Sequence, residues 1–282
     1  MFFLVFFGVV GAGIFLFGRS AEPILIENER GEERVESTDE EKEEVPEVTE
    51  EEKEIGNEEE QSEDIEEEEP REITLKQVVY EFLGRPYLRG PLGEKEGERI
   101  YREDVFDCTT LVLVSASKYN ANDKSAEEMM KIANYYPAGV VSFESRLHFT
   151  TYRNIVSPLF EDVTHEVGGD LAESKRVLLN KERTGEGRLI DIDWEEEVDL
   201  RYIKKEDVPR IVSELPQEAG VVFIVDGDEE IGLDIRHEGF VFDGKTLVHA
   251  SSQRGEVSEE NLLNFLQNSN YDGVGFFRVV RN

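Results

Sequence analysis

Three stretches of different texture follow one another along the chain. Residues 2–17 are apolar apart from glycines, and the first charged side chain is Arg19. From 27 to 72 apolar positions nearly vanish. From 73 to 282 they return with regular spacing, first that of helices and later that of strands.

The helical part opens at Thr74-Leu75-Lys76-Gln77, a capping-box pattern in which the first side chain and the fourth satisfy each other's backbone amides. Behind it Leu75, Val78, Val79, Phe82 and Leu83 recur at helical spacing and predict a helix that closes at Gly84. Gly84-Arg85-Pro86-Tyr87 and the residues to Pro91 form a turn-rich surface loop. A second helix is predicted from Asp107-Cys108-Thr109-Thr110, with Leu111, Val112 and Val114 as its apolar body and Asp107 or Thr109 as its cap. A third starts at the capping box Ser125-Ala126-Glu127-Glu128 and runs through Met129, Met130 and Ile132, the methionines being core. Ser145-Arg146-Leu147-His148-Phe149 is expected to begin or lie in a further short helix. In a regular helix Arg146 and His148, two apart, do not share a face.

Strands are expected at 163–167, 176–179 and 189–194, an elaboration around the core with no linker bracketing it. The β core follows at 220–225, 231–242, 246–250 and 275–280, with a helix capped by Ser258 and carrying Leu262, Leu263 and Leu266 before the last strand. Helices first and antiparallel strands later make an α+β fold.

Charge changes the picture at the N-terminal side. Of the formal net charge of −34, the 27–72 stretch holds −20, from 25 acidic and 5 basic residues, which leaves about −14 for 73–282. Such a stretch cannot offset its ordering entropy by burial, so an extended, self-repelling linker is expected, as a spacer or as a solubility tract. Without a basic face, nucleic-acid binding is excluded. The apolar run, at about 1.5 Å per residue, reaches roughly 25 Å, near the lower limit for a bilayer core. Residues 1–26 are therefore expected to be an export signal or signal-anchor. Arg19-Ser20-Ala21 is a poor cleavage site and favours an uncleaved anchor, with the acidic remainder outside. The lack of a cysteine near the end of the run excludes a lipoprotein anchor. The expected organisation is an anchor at 1–26, a linker at 27–72 and one catalytic domain at 73–282, monomeric and facing the periplasm or cell exterior.

The candidate chemistry starts from the single cysteine, Cys108. At a helix N-terminus, unpaired N–H groups and the dipole favour a thiolate and are expected to lower its pKa. The bland alternative is a buried, inert side chain. A cysteine nucleophile needs a base, and the base needs an orienting group. Of the four histidines, His165 lies among charged residues and reads as solvated surface, and His148 is ambiguous. His237 and His249 are equidistant from Asp243 in Phe242-Asp243-Gly244-Lys245. A two-residue turn at Asp243-Gly244 sends them to opposite faces, whereas a three-residue loop Phe242-Asp243-Gly244 pairs Val241 with Lys245 and His237 with His249. Only the second register is expected to make a Cys-His-His site. The alternatives are two polar residues at a sheet end, or zinc held by Cys108, His237 and His249, against which stands the lack of closely spaced ligands such as CxxC or HxxxH. No cofactor and no metal are expected.

Phe106-Asp107-Cys108-Thr109-Thr110-Leu111-Val112, then His237-Glu238-Gly239-Phe240 and His249-Ala250-Ser251, resemble the papain-like cysteine hydrolases of the NlpC type, which cleave bacterial cell-wall peptides. Leu83-Gly84-Arg85-Pro86-Tyr87, Asp107-Cys108-Thr109-Thr110, Ser145-Arg146-Leu147-His148 and His249-Ala250-Ser251 resemble, within that superfamily, the N-acetylmuramoyl-L-alanine amidase-like branch. The resemblance covers the chain from about Ile73 onwards. It implies a papain-like core, its nucleophile at a helix N-terminus packed on an antiparallel sheet, and a peptidoglycan or muropeptide substrate. It further implies Cys108 as nucleophile, His237 as base and His249 as orienting residue, with Tyr87, Asp107, Arg146 and His148 lining the substrate side. Glu238 departs from the pattern, which has an apolar residue there. Two other functions stay open: an endopeptidase cutting between D-glutamate and the diamino acid, with Asp107 receiving a free L-alanine amine, and a catalytically silent wall-binding module of the same fold.

Overall fold

A computed structural model of the protein describes residues 73–281. The anchor expected at 1–26 and the linker expected at 27–72 lie outside the described residues. Among the described residues no helix is long and apolar enough to cross a membrane.

The helices come first: α1 (Leu75–Tyr80), α2 (Cys108–Tyr119), α3 (Ala126–Asn134) and α4 (Thr150–Val156). Then follow β1 (Phe160–Asp162), α5 (Thr164–Gly168), β2 (Ala172–Leu179), β3 (Glu196–Lys204) and α6 (Val208–Ile211). The chain ends with β4 (Glu218–Ile224), β5 (His237–Phe242), β6 (Thr246–Ser251), β7 (Glu256–Asn261), α7 (Leu262–Gln267) and β8 (Gly273–Val279). All strands join one antiparallel sheet in the order β2-β3-β8-β4-β5-β6-β7, with β1 added beside β8. The α+β class and the packing of a cysteine-headed helix on an antiparallel sheet are as the sequence implies.

Period-2 alternation divides the core between the two faces of this sheet. Phe240 and Phe242 of β5, with Val248 and Ala250 of β6, pack with α1, α2 and α3. Val241 and Leu247 turn the other way, toward Ile211 of α6 and Leu262 and Leu266 of α7. α2 is the central helix: Thr110 through Ser117 are all buried, so it shows no polar stripe. The capping boxes predicted at Thr74 and Ser125 both form.

Elsewhere side chains override periodicity. The strand expected at 163–167 is the helix α5, with Val163 and Val167, four apart, buried on one side. The strand expected at 189–194 is a loop held by buried Asn180, whose amide donates to the Trp194 carbonyl (2.9 Å) and accepts from the Ile190 N–H (2.8 Å). A side chain there replaces the ladder hydrogen bonds a strand would need. β3 was not anticipated, although Val198 and Leu200 are buried between exposed charged neighbours. The strand expected from 231 begins only at His237, because Asp228 through Ile231 form a short 3-10 turn. Ser258 is not a helix cap: it lies inside β7, and Asn261 caps α7 by accepting from the Asn264 N–H at 3.0 Å.

Candidate active site

Asp107 starts α2. One of its carboxylate oxygens accepts from the Thr110 N–H (2.8 Å) and the other from the Gly90 N–H (2.8 Å), so a single side chain caps the helix and fixes the preceding loop. Cys108 is the first helical residue. The Glu238 backbone and the Thr109 side chain act to favour its thiolate form. Burial, reinforced by the Glu238 and Asp107 carboxylates, nevertheless pushes the thiol up to about 12. The lowered pKa expected from the helix terminus is thus overturned: desolvation of a thiolate outweighs the local donors.

Glu238 follows His237, so the backbone that favours the thiolate belongs to the second residue of β5. The hairpin that carries both histidines differs from the expected one. Phe242 pairs with Thr246, Val241 with Leu247 and Phe240 with Val248, which makes Asp243-Gly244-Lys245 the loop. Asp243 and Gly244 both have positive φ, 53° and 66°, and Lys245 N–H donates to the Phe242 carbonyl at 3.1 Å. This register is two residues away from the predicted one. A shift of two conserves the face, so His237 and His249 still share a side, as diagonal and not direct neighbours. His249 faces Gly239, where an added Cβ would come within 2.7 Å of the Val248 carbonyl oxygen and 2.9 Å of the His249 Cβ. The missing side chain lets the His249 ring lie against β5.

The two imidazoles meet at 2.7 Å, His237 Nε2 to His249 Nδ1. His249 is 2 % exposed, and its Nε2 is 2.9 Å from Oε1 of Glu260 on β7. Phe223 and Tyr271 stack on the His237 ring, with centroids at 5.5 and 6.1 Å. Burial, and then His249, hold the proton affinity of His237 down to about 3; burial also lowers that of His249, against the opposing pull of Glu260. In the free protein Cys108 is therefore a thiol and His237 a neutral imidazole. The two histidine nitrogens face each other and not a common point, and among the described residues no three His, Cys, Asp or Glu side chains are arranged to hold a metal.

The Glu238 side chain points away from the two histidines. It lies on the opposite face of β5, 1 % exposed, and accepts from Arg153 of α4 at 2.7 and 3.2 Å and from Thr150 at 3.2 Å. Arg153, also 1 % exposed, lies over the Phe160 ring with 4.6 Å to its centroid. The acidic residue in place of an apolar one is thus half of a buried ion pair that ties α4 to the strand bearing His237.

Tyr87 is half-buried, held by its N–H donating to the Gly255 carbonyl at 2.7 Å. Its hydroxyl pKa is raised by burial and then by Cys108 and Asp107, which puts the ring in their company. Tyr271 also feels Cys108: burial and then the cysteine push its hydroxyl up to about 12. Cys108, Tyr87, Asp107, His237 and His249 are thus gathered at one end of the sheet. Arg146 and His148 are not among them. Their segment is a turn ending before α4, not a helix, and with buried Leu147 between them both line a separate cleft of about 160 Å³ with Tyr136, Tyr152 and Trp194. Arg146 is ion-paired to Glu94, and His148 Nε2 is 2.6 Å from the Phe143 carbonyl oxygen. His165 is exposed.

Sequence reasoning missed Glu260, Tyr271, Phe265 and Arg254, which with the two histidines line a cleft of about 450 Å³. The available signal was alternation: in a strand Ser258 and Glu260 share the face of the residue opposite Ser258, which is His249.

The family model described as N-acetylmuramoyl-L-alanine amidase-like matches residues 77–274. A Legionella pneumophila protein of known structure is similar over 73% of this chain and 88% of its own, at 24% identity and a TM-score of 0.61. A Bacteroides uniformis N-acetylmuramoyl-L-alanine amidase is similar over 73% of this chain and 99% of its own, at 21% identity and a TM-score of 0.57. At these identities the likeness establishes the fold. No curated protein matches the sequence.

Proposed function

The chain belongs to the N-acetylmuramoyl-L-alanine amidase-like family, and on that footing we propose that it hydrolyses the amide joining the lactyl group of N-acetylmuramic acid to L-alanine in peptidoglycan fragments. The observation that carries this reading is the His237–His249 hydrogen bond at the start of β5, one residue from Glu238, whose backbone favours the Cys108 thiolate.

The first step follows from the protonation states. His237 Nε2 is engaged with His249, which leaves Nδ1 to accept the thiol proton as the sulfur attacks the lactyl carbonyl carbon. The carbonyl oxygen becomes an oxyanion, and the backbone N–H of Cys108, among the unpaired donors of the first turn of α2, is suited to receive it. On collapse the carbon–nitrogen bond breaks, and His237 returns its proton to the departing L-alanine amine. Water, deprotonated by His237, then attacks the thioester carbonyl; the carbon–sulfur bond breaks, His237 returns the proton to the Cys108 sulfur, and the muramic acid carboxyl group is freed. His249 holds the His237 ring throughout. We assign Arg146, His148 and the aromatic walls of their cleft to the sugar side of the substrate, and Tyr87 to the reacting amide.

Asp107 weighs against the endopeptidase alternative, which needs a receptor for a free L-alanine amine. Both of its oxygens already accept backbone hydrogen bonds. Mass analysis of the products from an N-acetylmuramoyl peptide tests the choice. Release of the intact stem peptide beginning with L-alanine is expected; release of L-Ala-D-Glu from a free stem peptide, with the muramoyl peptide left intact, overturns it, and binding of both without turnover establishes a silent module. We also read 1–26 as an uncleaved anchor and 27–72 as a spacer, so that the enzyme works outside the membrane. Full-length protein should fractionate with membranes, and a mature N-terminus near Glu22 contradicts the anchor.

A further inference from the structure

Both ring nitrogens of His249 are engaged, Nδ1 with His237 Nε2 at 2.7 Å and Nε2 with Glu260 Oε1 at 2.9 Å. A carboxylate has no proton to give, so the hydrogen in the second contact belongs to His249 Nε2. In a neutral imidazole that leaves Nδ1 as an acceptor, and the hydrogen between the two rings must then be on His237 Nε2. His237 Nδ1 is left with its lone pair, on the one nitrogen free to meet a thiol. We infer that Glu260 is the positioning residue that sets, through His249, which nitrogen of His237 accepts the proton from Cys108. The inference rests on the proposed Cys108 chemistry, and Glu260 touches neither sulfur nor substrate.

Its placement supports this role. Glu260 pairs with Leu247 across β6–β7, which directs its side chain to the same face as His249. Among the described residues it is the only carboxylate in ion-pair contact with either histidine, and its side chain is 24% exposed. The charged and titratable groups around the relay are His237 from β5, Arg254 from the turn after β6, 3.8 Å from Glu260, and Tyr271 from the segment before β8. Arg254 approaches the same Oε1 oxygen that meets His249, which adds a positive charge beside the carboxylate. When His237 takes up the thiol proton, the imidazolium formed is half-buried, and the chain His237–His249–Glu260 connects it to a negative charge at hydrogen-bond distance. The arrangement thus selects the tautomer before attack and stabilises charge during it.

The test compares Glu260→Gln and Glu260→Asp with the wild type in the full-length protein. On an N-acetylmuramoyl peptide, Glu260→Gln should lower kcat at least about tenfold with KM within about twofold, and Glu260→Asp should restore most of the loss, since removing the tautomer-fixing charge from a related triad costs far more than one hydrogen bond. Long-range proton–nitrogen spectra of histidine-labelled protein should show His237 and His249 both as Nε2–H tautomers in the wild type and a mixture in Glu260→Gln. An unchanged kcat in Glu260→Gln, a loss confined to KM, or an Nδ1–H tautomer at His237 in the wild type overturns the inference. If Glu260→Gln does not fold, the wild-type spectrum and the Glu260→Asp kinetics decide. If the wild type cleaves no muramoyl peptide, the proposed function fails, while the spectra still judge the relay.

Discussion

Cys108 and His237 are each half-buried and held in the form that carries no charge, the thiol pushed up to about 12 and the imidazole down to about 3. No ionisation of either group then falls between pH 5 and 9, and alkylation of Cys108 by iodoacetamide should accelerate steadily with pH across that range. A rate already at plateau near pH 6 would instead reveal a preformed thiolate. Cys108→Ala should lose at least about a thousandfold in hydrolysis, because no other side chain supplies the nucleophile, while its thermal midpoint stays within a few degrees of the wild type. The cysteine was legible because it is single and heads a capped apolar run. The histidines were legible because they flank one turn. Glu260 was not, for it lies in Ser258-Glu259-Glu260-Asn261, which reads equally as a capped helix start. Nor could the sequence weigh helix-terminus donors against desolvation, since burial of Cys108 depends on elements far away in the chain.

Elements capped by their own side chains were readable: the boxes at Thr74 and Ser125 and the Asp107 cap are local chemistry. Elements fixed by distant partners were not, as Asn180 shows by holding 189–194 out of the sheet. The β5–β6 hairpin falls between these cases. Its turn residues were identified, its register was displaced by two, and the shared face of the histidines survived because the strand period is also two. Two consequences can be measured at this scale. Asp107→Ala removes the α2 cap and the Gly90 contact together, so stability should fall by about 1–2 kcal/mol in denaturant titrations, with no change if the cap is idle. Gly239→Ala should destabilise β5 and lower activity, because the new Cβ meets the Val248 carbonyl oxygen and His249. A variant as stable and active as the wild type would show that the strands do not approach so closely.

In the whole molecule the sheet supplies the strand end, α2 the nucleophile, and the buried Arg153–Glu238 pair the link between α4 and β5. The α+β arrangement followed from the order of periodicities, whereas the membership of β2 and β3 in the same sheet as the histidines rests on pairing that no local pattern reveals. Folding also sets an acid limit. His148, His237 and His249 all bind protons less readily in the native state, chiefly through burial, so the unfolded chain takes up protons that the folded one refuses. Stability is full above about pH 6.5 and should fall as pH drops from there toward 3. Between pH 6.5 and 5 few carboxylates titrate, so a falling thermal midpoint in that window reports the histidines, and a rising one contradicts their burial as neutral groups. The central claim is that Cys108 takes the muramoyl acyl group from L-alanine, and the covalent intermediate tests it most directly. Intact-protein and peptide mass analysis of enzyme quenched during turnover of an N-acetylmuramoyl peptide should find the N-acetylmuramoyl group, free of any amino acid, in thioester linkage on the peptide containing Cys108. An adduct that retains L-Ala-D-Glu, or full hydrolysis by Cys108→Ala with no adduct, would contradict it.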